Sequence, residues 1–157
     1  MENCVFCNLD SESNLNGKRI VRESSNTATI LSDPYLMRGH SIVIPKTHVE
    51  KLSELSNEIR YELIDETTNV AELLMKKLKV SGIDLRQNYR PFLPPSKTKV
   101  NHLHFHVIPR WFEDILYRKS MIHEKEVFTD LTPELSKELM ENLKWQTKKI
   151  LMKWKKE

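Results

Sequence analysis

The stretch best suited to chemistry is residues 101–110, which reads NHLHFHVIPR. Its histidines, His102, His104 and His106, alternate with apolar residues, and this period of two predicts a β-strand with one polar face. Neutral imidazole is a good nucleophile at pH 7 and a good leaving group once it is protonated. Three of the chain's six histidines stand here in register, which disfavours a solvated strand face that carries them by chance. The apolar residues of the other face are expected in the core: Leu103, Phe105 and Val107.

The only two cysteines form a Cys-x-x-Cys pair at Cys4 and Cys7. No secretory signal is visible before them, so metal binding or redox chemistry is favoured over a disulfide framework. A redox pair of the thioredoxin type would stand at the start of a helix after a strand, whereas this pair precedes a polar segment. Zinc is the better interpretation, although two thiolates supply only half of a tetrahedral site.

Length and composition restrict the class of protein. A chain of 157 residues with 39% hydrophobic and 30% charged residues is expected to be one soluble globular domain, here in the cytoplasm. A formal charge of +3 is too small to favour nucleic acid as the main ligand, and no apolar run is long enough for a membrane helix. Three scattered glycines exclude a Gly-rich phosphate loop. Any bound phosphate must therefore be held by side chains and isolated backbone amides.

Hydrophobic periodicity and turn residues predict an α+β architecture. A long amphipathic helix is expected at residues 56–79, with Ser56 as N-cap. The strands are expected at residues 18–23, 27–33, 40–45, 85–92 and 101–110. Together they predict a mainly antiparallel sheet of about five strands, with helices packed on one side.

A C-terminal helix is predicted from Thr132 as N-cap, with Pro133 in the first turn. Its apolar stripe is Leu135, Leu139, Leu143, Ile150 and Trp154. Its end is rich in lysine, which is compatible with a membrane surface or an acidic partner. Packing on its own domain is favoured, since tertiary packing supplies most helical stability in proteins.

The pattern His-φ-His-φ-His-φ-φ, where φ is apolar, resembles the signature of the histidine triad (HIT) family of nucleotide hydrolases and transferases. The likeness runs from about Cys4 to Arg110. It implies a HIT-like domain core at residues 1–112, followed by a C-terminal extension at 113–157, and it implies a homodimer. It also implies that His104 is the nucleophile, which becomes nucleotidylated, and that His106 donates hydrogen bonds to the α-phosphate.

The resemblance also completes the metal site. In galactose-1-phosphate uridylyltransferase, a distant relative, the histidine before the nucleophile binds structural zinc together with a Cys-x-x-Cys pair and one further histidine. The matching set here is Cys4, Cys7, His48 and His102, and Cys₂His₂ is a standard closed zinc site. The alternative is that both cysteines are free thiols and that His102 belongs to a hydrogen-bond network.

Nucleotide-binding residues are implied on both sides of the histidines. Similar proteins hold the ribose hydroxyls with a residue at the position of Asp33, although an Asp before Pro is also a common turn former. His40, in the run GHSIVIP, matches a family histidine near the active site. Asn88 matches a phosphate-side asparagine, and Arg90 could add a charge on the same side.

The chain departs from the family just before the triad. Many members carry a Gly-Gln-Ser or Gly-Gln-Thr step there, and this chain has Lys97, Thr98 and Lys99 after a proline-rich loop. The lysines could favour a more anionic substrate, such as a dinucleoside polyphosphate, or they could be plain surface residues.

The resemblance implies a hydrolase that cleaves a nucleoside phosphoanhydride or phosphoramidate through a nucleotidyl–His104 intermediate. A nucleotidyltransferase or phosphorylase is the first alternative, although these branches often carry glutamine at the third triad position, where this chain has His106. A zinc-stapled nucleotide-binding module with residual catalysis is the second. No nucleic-acid or membrane partner is expected.

Overall fold

A computed structural model of the chain describes residues 4–9, 19–94, 96, 99–119 and 129–143. The chain divides into two compact units, residues 1–114 and 115–157. The first unit contains a five-stranded antiparallel sheet and a long helix. This arrangement confirms the α+β class. No helix among the described residues is long and apolar enough to cross a membrane.

The sheet has the strand order β1-β2-β3-β5-β4. Its strands are β1 Ile20–Glu23, β2 Thr27–Leu31, β3 Ser41–Pro45, β4 Gly82–Gln87 and β5 Phe105–Arg110. A 3₁₀ helix at Leu52–Glu54 precedes the long helix α1, Asn57–Leu78. The inner strand β5 therefore carries His106 and begins one residue after His104.

Helix α1 begins where the sequence predicts. The hydroxyl of Ser56 accepts a hydrogen bond from the Ile59 amide, and the helix ends before Lys79, which adopts a left-handed conformation at φ 50°. Residues of α1 pack on one face of the sheet in a buried cluster with Val43, Leu103 and Val107. The opposite face has a second cluster, formed by Leu9, Ala28, Ile30, Ile42 and Ile44. Alternate residues of β3 thus serve two different cores.

The observed strands differ from the predicted ranges in their bounds, and the differences are largest for the triad strand and β4. The triad strand was predicted from residue 101, but β5 begins at Phe105, because the Leu103 amide donates to the Val49 carbonyl at 2.6 Å instead of to a neighbouring strand. The strand predicted at 85–92 is β4, which ends at Gln87, the partner of Phe105. Because Phe105 is the first residue of β5, the residues after Gln87 have no partner on β5 and β4 ends there.

The second unit contains helix α2, Pro133–Asn142. Thr132 caps it by accepting a hydrogen bond from the Leu135 amide, and Pro133 occupies the first turn, both as predicted. Residues 144–157, with the basic end and the apolar positions Ile150 and Trp154, lie outside the described residues. That this helix packs on the first unit stays a prediction.

Candidate active site

The triad histidines lie at the start of β5 and just before it. His106 is in the strand, opposite Ile42 on β3, whereas His102 and His104 precede the strand. All three alternate with Leu103, Phe105 and Val107, which belong to the cluster that packs against α1, as the period of two predicts. Burial of Leu103 and Val107 against α1 therefore fixes the direction of the histidines between them. His104 is 8% exposed and His102 is 2% exposed.

The ring of His104 is held by the backbone of His102. His104 Nδ1 lies 2.6 Å from the His102 carbonyl oxygen. A carbonyl can only accept, so Nδ1 carries the proton and donates. In the neutral ring the other nitrogen, Nε2, then keeps its lone pair. This is the tautomer that a nucleophilic imidazole needs.

A second chain of hydrogen bonds fixes His106 through His40. The Leu36 amide donates to His40 Nδ1 at 3.1 Å, so in the neutral ring the His40 proton is on Nε2. His40 Nε2 lies 3.0 Å from His106 Nδ1 and donates to it. His106 consequently carries its own proton on Nε2. His106 thus presents its Nε2–H as a donor beside the Nε2 lone pair of His104. The centres of the His104 and His106 rings are 4.8 Å apart.

Gly39 allows His40 to occupy this position. It has φ +83°, in the region that side chains other than glycine rarely adopt. A Cβ at Gly39 would lie 2.5 Å from Leu78 Cδ1 at the end of α1. The positive φ therefore favours glycine immediately before His40, and a side chain there would also displace the end of Leu78.

The buried histidines are neutral at pH 7. Burial lowers the pKa of His40 to about 4 and that of His106 to about 3. The positive charge of Arg86 adds to the effect at both, as do the neighbouring histidines. The pKa of His104 is also lowered by burial, although its bond to the His102 carbonyl opposes the shift. A neutral His104 has a lone pair available for attack without prior loss of a proton.

Two cavities meet at His104 and His106. The β4-side cavity, of about 340 Å³, is lined by residues that follow β4 and by the loop before the triad. The β2-side cavity, of about 360 Å³, is lined by β2, by the loop after it and by the segment around Phe6. Both volumes lie within the range of small-molecule sites. A ligand that fills both cavities would pass directly over the two histidines.

The structure brings most of the predicted nucleotide-binding residues to these cavities. Asn88, Arg90 and Lys99 line the β4-side cavity, and Asp33 and His40 line the β2-side cavity. The Nζ of Lys99 donates to the Leu93 carbonyl within its own loop. Lys97 and Thr98 lie outside the described residues.

Cys4, Cys7, His48 and His102 converge as the resemblance implies. Their ligand atoms all lie within 4.8 Å of one another. Cys7 Sγ is 3.2 Å from His48 Nδ1 and 3.6 Å from His102 Nδ1, and Cys4 Sγ is 3.5 Å from His102 Nδ1. A tetrahedral zinc ion places sulfur and nitrogen ligands about 3.6 Å apart, given bonds of roughly 2.3 and 2.0–2.1 Å. The donor set and its spacing fit zinc.

The orientation of His102 supports the same conclusion. Its Nε2 donates to the Pro45 carbonyl at 2.8 Å, so Nδ1 turns an unshared pair toward the sulfur atoms. Burial lowers the pKa of His102 to about 4, which keeps the ring neutral, as a metal ligand must be.

Among the residues that the structure describes, Phe6, Arg86 and Arg19 act on the site but were not predicted from the sequence. Phe6 stands between the cysteines, and its ring centre lies 5.5 Å from that of His104. Convergence of the cysteines on His102 brings it there, so the Cys-x-x-Cys pattern held the signal. Arg86 pairs with His106 across β4 and β5, a register that the misplaced bounds of β4 concealed. Arg19 lines the β2-side cavity and forms an ion pair with Asp33, and no pattern marked it.

Comparison with known proteins gives the family. A family model described as HIT domain matches residues 14–113, and the chain belongs to the HIT family. An uncharacterized HIT-like protein of Saccharolobus solfataricus is 28% identical, over 90% of this chain and 98% of its own length. The adenosine 5'-monophosphoramidase HNT1 of Saccharomyces cerevisiae is 26% identical, over 68% of this chain and 62% of its own length.

Solved structures give the same fold. A Zn-bound histidine triad family protein from Mycobacterium smegmatis superposes with a TM-score of 0.60 and 30% identity. The match covers 73% of this chain and 80% of that protein. The family therefore follows from the sequence match, and the fold of the chain is that of HIT family structures.

Proposed function

We propose that the chain is a nucleotide hydrolase that cleaves a nucleoside phosphoanhydride or phosphoramidate through a covalent intermediate on His104. The observation that carries the proposal is the 2.6 Å bond from His104 Nδ1 to the His102 carbonyl, which leaves Nε2 with a lone pair where two cavities meet. A buried, neutral imidazole in this tautomer is suited to attack at phosphorus.

In the first step, His104 Nε2 forms a bond to the α-phosphorus while the bond from phosphorus to the leaving group breaks. The leaving group departs with the electron pair of that bond: an amine takes up a proton from solvent, whereas a phosphate departs as the anion. His106 Nε2–H is available to donate to a phosphoryl oxygen and stabilise its developing charge. In the second step, a water oxygen forms a bond to the phosphorus while the P–Nε2 bond breaks and its electron pair returns to His104 Nε2. The attacking water loses one proton to solvent, the nucleoside monophosphate leaves and His104 is again neutral.

The two cavities support a division of the substrate. The walls of the β2-side cavity include Phe6, Ile30 and Ile42, which suit a nucleoside, with Asp33 as an acceptor for ribose hydroxyls. The β4-side cavity has Asn88 and Arg90, which suit the leaving group. We therefore place the transferred nucleotide on the β2 side and the leaving group on the β4 side.

A cation on the leaving-group side favours an anionic leaving group, such as the remainder of a dinucleoside polyphosphate. The yeast relative is named an adenosine 5'-monophosphoramidase, which favours a phosphoramidate.

Steady-state rates on a panel of both substrate types, with identification of the products, test the proposal. Absence of turnover on every member would contradict it.

A phosphorylase or transferase of the same superfamily is the alternative for the second step, with phosphate or another acceptor in place of water. The third triad residue, His106, favours hydrolysis. Turnover in the presence of phosphate, with separation of nucleoside monophosphate from nucleoside diphosphate, distinguishes the two reactions.

Zinc would be held by Cys4, Cys7, His48 and His102. When bound, it would tie the N-terminal segment and the loop after β3 to the segment that carries His104, in a structural role.

We also expect a cytoplasmic homodimer. Sedimentation of the purified protein tests the oligomeric state, and fractionation of cells tests the location.

A further inference from the structure

An ion pair lies in the largely apolar wall of the β2-side cavity, as far as the described residues form that wall. Arg19 Nη1 lies 3.0 Å from Asp33 Oδ2, and both residues line the cavity. The Arg19 side chain is 24% exposed, whereas that of Asp33 is 70% exposed. The guanidinium is thus the better enclosed partner, and it anchors a carboxylate that extends from the loop after β2 into solvent.

An exposed carboxylate that must receive two hydroxyl groups loses rotamer freedom on binding. An ion pair that already holds one oxygen reduces that loss, because the carboxylate is oriented before the ligand arrives. The fixed geometry of guanidinium suits it to this role. The contact uses Oδ2 of Asp33, and a carboxylate offers further acceptor positions to a ligand.

We propose that Arg19 is a positioning residue that orients Asp33 toward the ribose hydroxyls, so that the site selects ribonucleotides over 2'-deoxyribonucleotides. The proposal rests on the proposed function, since it presumes that the β2-side cavity receives the nucleoside. It adds a residue that acts on the ligand only through Asp33.

The alternative for Arg19 is direct contact with an anion, such as a phosphate on the ribose. The ion pair disfavours this alternative, because a phosphate close enough to bind Arg19 would also lie close to the Asp33 carboxylate and be repelled by it. Hydroxyl groups meet no such repulsion.

The test is the affinity of the full-length protein for adenosine 5'-monophosphate and its 2'-deoxy analogue, measured by calorimetry. The guanosine pair is measured in parallel, since the base is unidentified. We expect wild type to prefer the ribonucleotide about tenfold or more, the effect of one good hydrogen bond to a charged group. Arg19→Ala should reduce the preference severalfold by weakening the ribonucleotide alone. Arg19→Lys should retain part of it.

Arg22→Ala is the matched control. Arg22 lies on the same edge of the sheet and pairs with Glu66 at 3.6 Å, away from the β2-side cavity. The variant removes an arginine–carboxylate contact and one positive charge, as Arg19→Ala does. The ribose preference should be the same as in wild type. A similar loss in both variants would reflect charge or stability and would overturn the proposal.

Asp33→Asn completes a double-mutant cycle. If Arg19 acts through Asp33, Arg19→Ala should change the ribose preference in wild type and leave it unchanged in the Asp33→Asn background. A loss that persists there would mean that Arg19 contacts the ligand directly and would overturn the proposal. If Arg19→Ala lost affinity for adenosine 2',5'-bisphosphate and kept the wild-type ribose preference, the proposal would be overturned in favour of an anion site at Arg19.

Failure of this inference is distinguishable from failure of the proposed function. Binding of none of the four monophosphates by wild type would contradict both proposals. Binding with an Arg19-independent ribose preference would contradict the role of Arg19 alone.

Discussion

The Nδ1–H of His104 donates to the carbonyl oxygen of His102, across 2.6 Å. One residue therefore serves two parts of the site. The His102 ring faces the cysteines through Nδ1, while its backbone carbonyl selects the tautomer of the next histidine in the triad. The proposed metal ligand His102 and the proposed nucleophile His104 are thus separated by a single residue, Leu103, which is buried against α1.

Loss of one thiolate should release the metal and destabilise the protein. We expect Cys7→Ser to contain less than stoichiometric zinc and to melt at least about 5 °C lower than wild type, because structural zinc contributes folding free energy. Metal analysis and thermal unfolding of the purified proteins measure both effects. A wild-type protein that contains no zinc and keeps its melting temperature in chelator would contradict the Cys₂His₂ site.

Stability should fall below neutral pH because His40 is buried in its neutral form. The pKa of His40 is lowered from 6.5 to about 4, so the unfolded chain binds more protons than the folded chain between those values. The stabilisation is complete above pH 6.5 and is lost progressively as the pH falls toward 4. Urea unfolding from pH 7.5 to 5 measures it.

His40→Asn is the control for this pH dependence, compared with wild type in the same metal state so that ligand protonation is common to both. Its free energy of unfolding should depend less on pH than that of wild type. Equal pH dependence in the two proteins would exclude His40 as a source of the effect.

Gly39 should not tolerate a side chain. Gly39→Ala places a Cβ 2.5 Å from Leu78 Cδ1 at a residue with φ +83°, and left-handed backbone alone costs about 1–2 kcal/mol. We expect the free energy of unfolding to fall by at least that amount. Gly82→Ala is the matched control, since a Cβ there meets nothing within 4 Å. Equal stability of the two variants, measured in urea, would contradict the close packing of the Gly39 turn against α1.

Arg90 should contribute more to an anionic leaving group than to a neutral one. We expect Arg90→Ala to lower kcat/KM about tenfold on a tetraphosphate-bridged dinucleotide at low salt, and little on a phosphoramidate with an uncharged leaving group. Lys99→Ala is the contrast. Its Nζ is bonded to the Leu93 carbonyl, so we expect similar, small changes on both substrates. A selective loss in Lys99→Ala alone would reverse these assignments.

The sequence predicted the elements whose patterns are local. The apolar stripe and Ser56 cap of α1 are contained within the helix, and the alternation through Leu103 and Val107 predicted that both residues lie in the core. The bounds of β4 and β5 depend on the partner strand and on Val49, which lies more than fifty residues before Leu103. No local pattern contains that information.

The same distinction applies to the site. Residue types at short spacing were sufficient to propose the histidines and the cysteine pair. The contact between His40 and His106, 66 residues apart, and the ion pair between Arg19 and Asp33 depend on how strands pair and on where one loop lies. These tertiary contacts, and the tautomer of each ring, follow only from the three-dimensional structure.

The central claim is that His104 forms the covalent bond to the nucleotide. Brief reaction with a radiolabelled substrate, followed by alkaline quenching, digestion and peptide mapping, tests it most directly. We expect one acid-labile nucleotidyl adduct on the peptide that contains residues 101–110, assigned to His104. The adduct should be absent in His104→Ala, and this variant should lose more activity than any other single replacement in the site. An adduct on another residue, or a near-normal rate in His104→Ala, would contradict the mechanism.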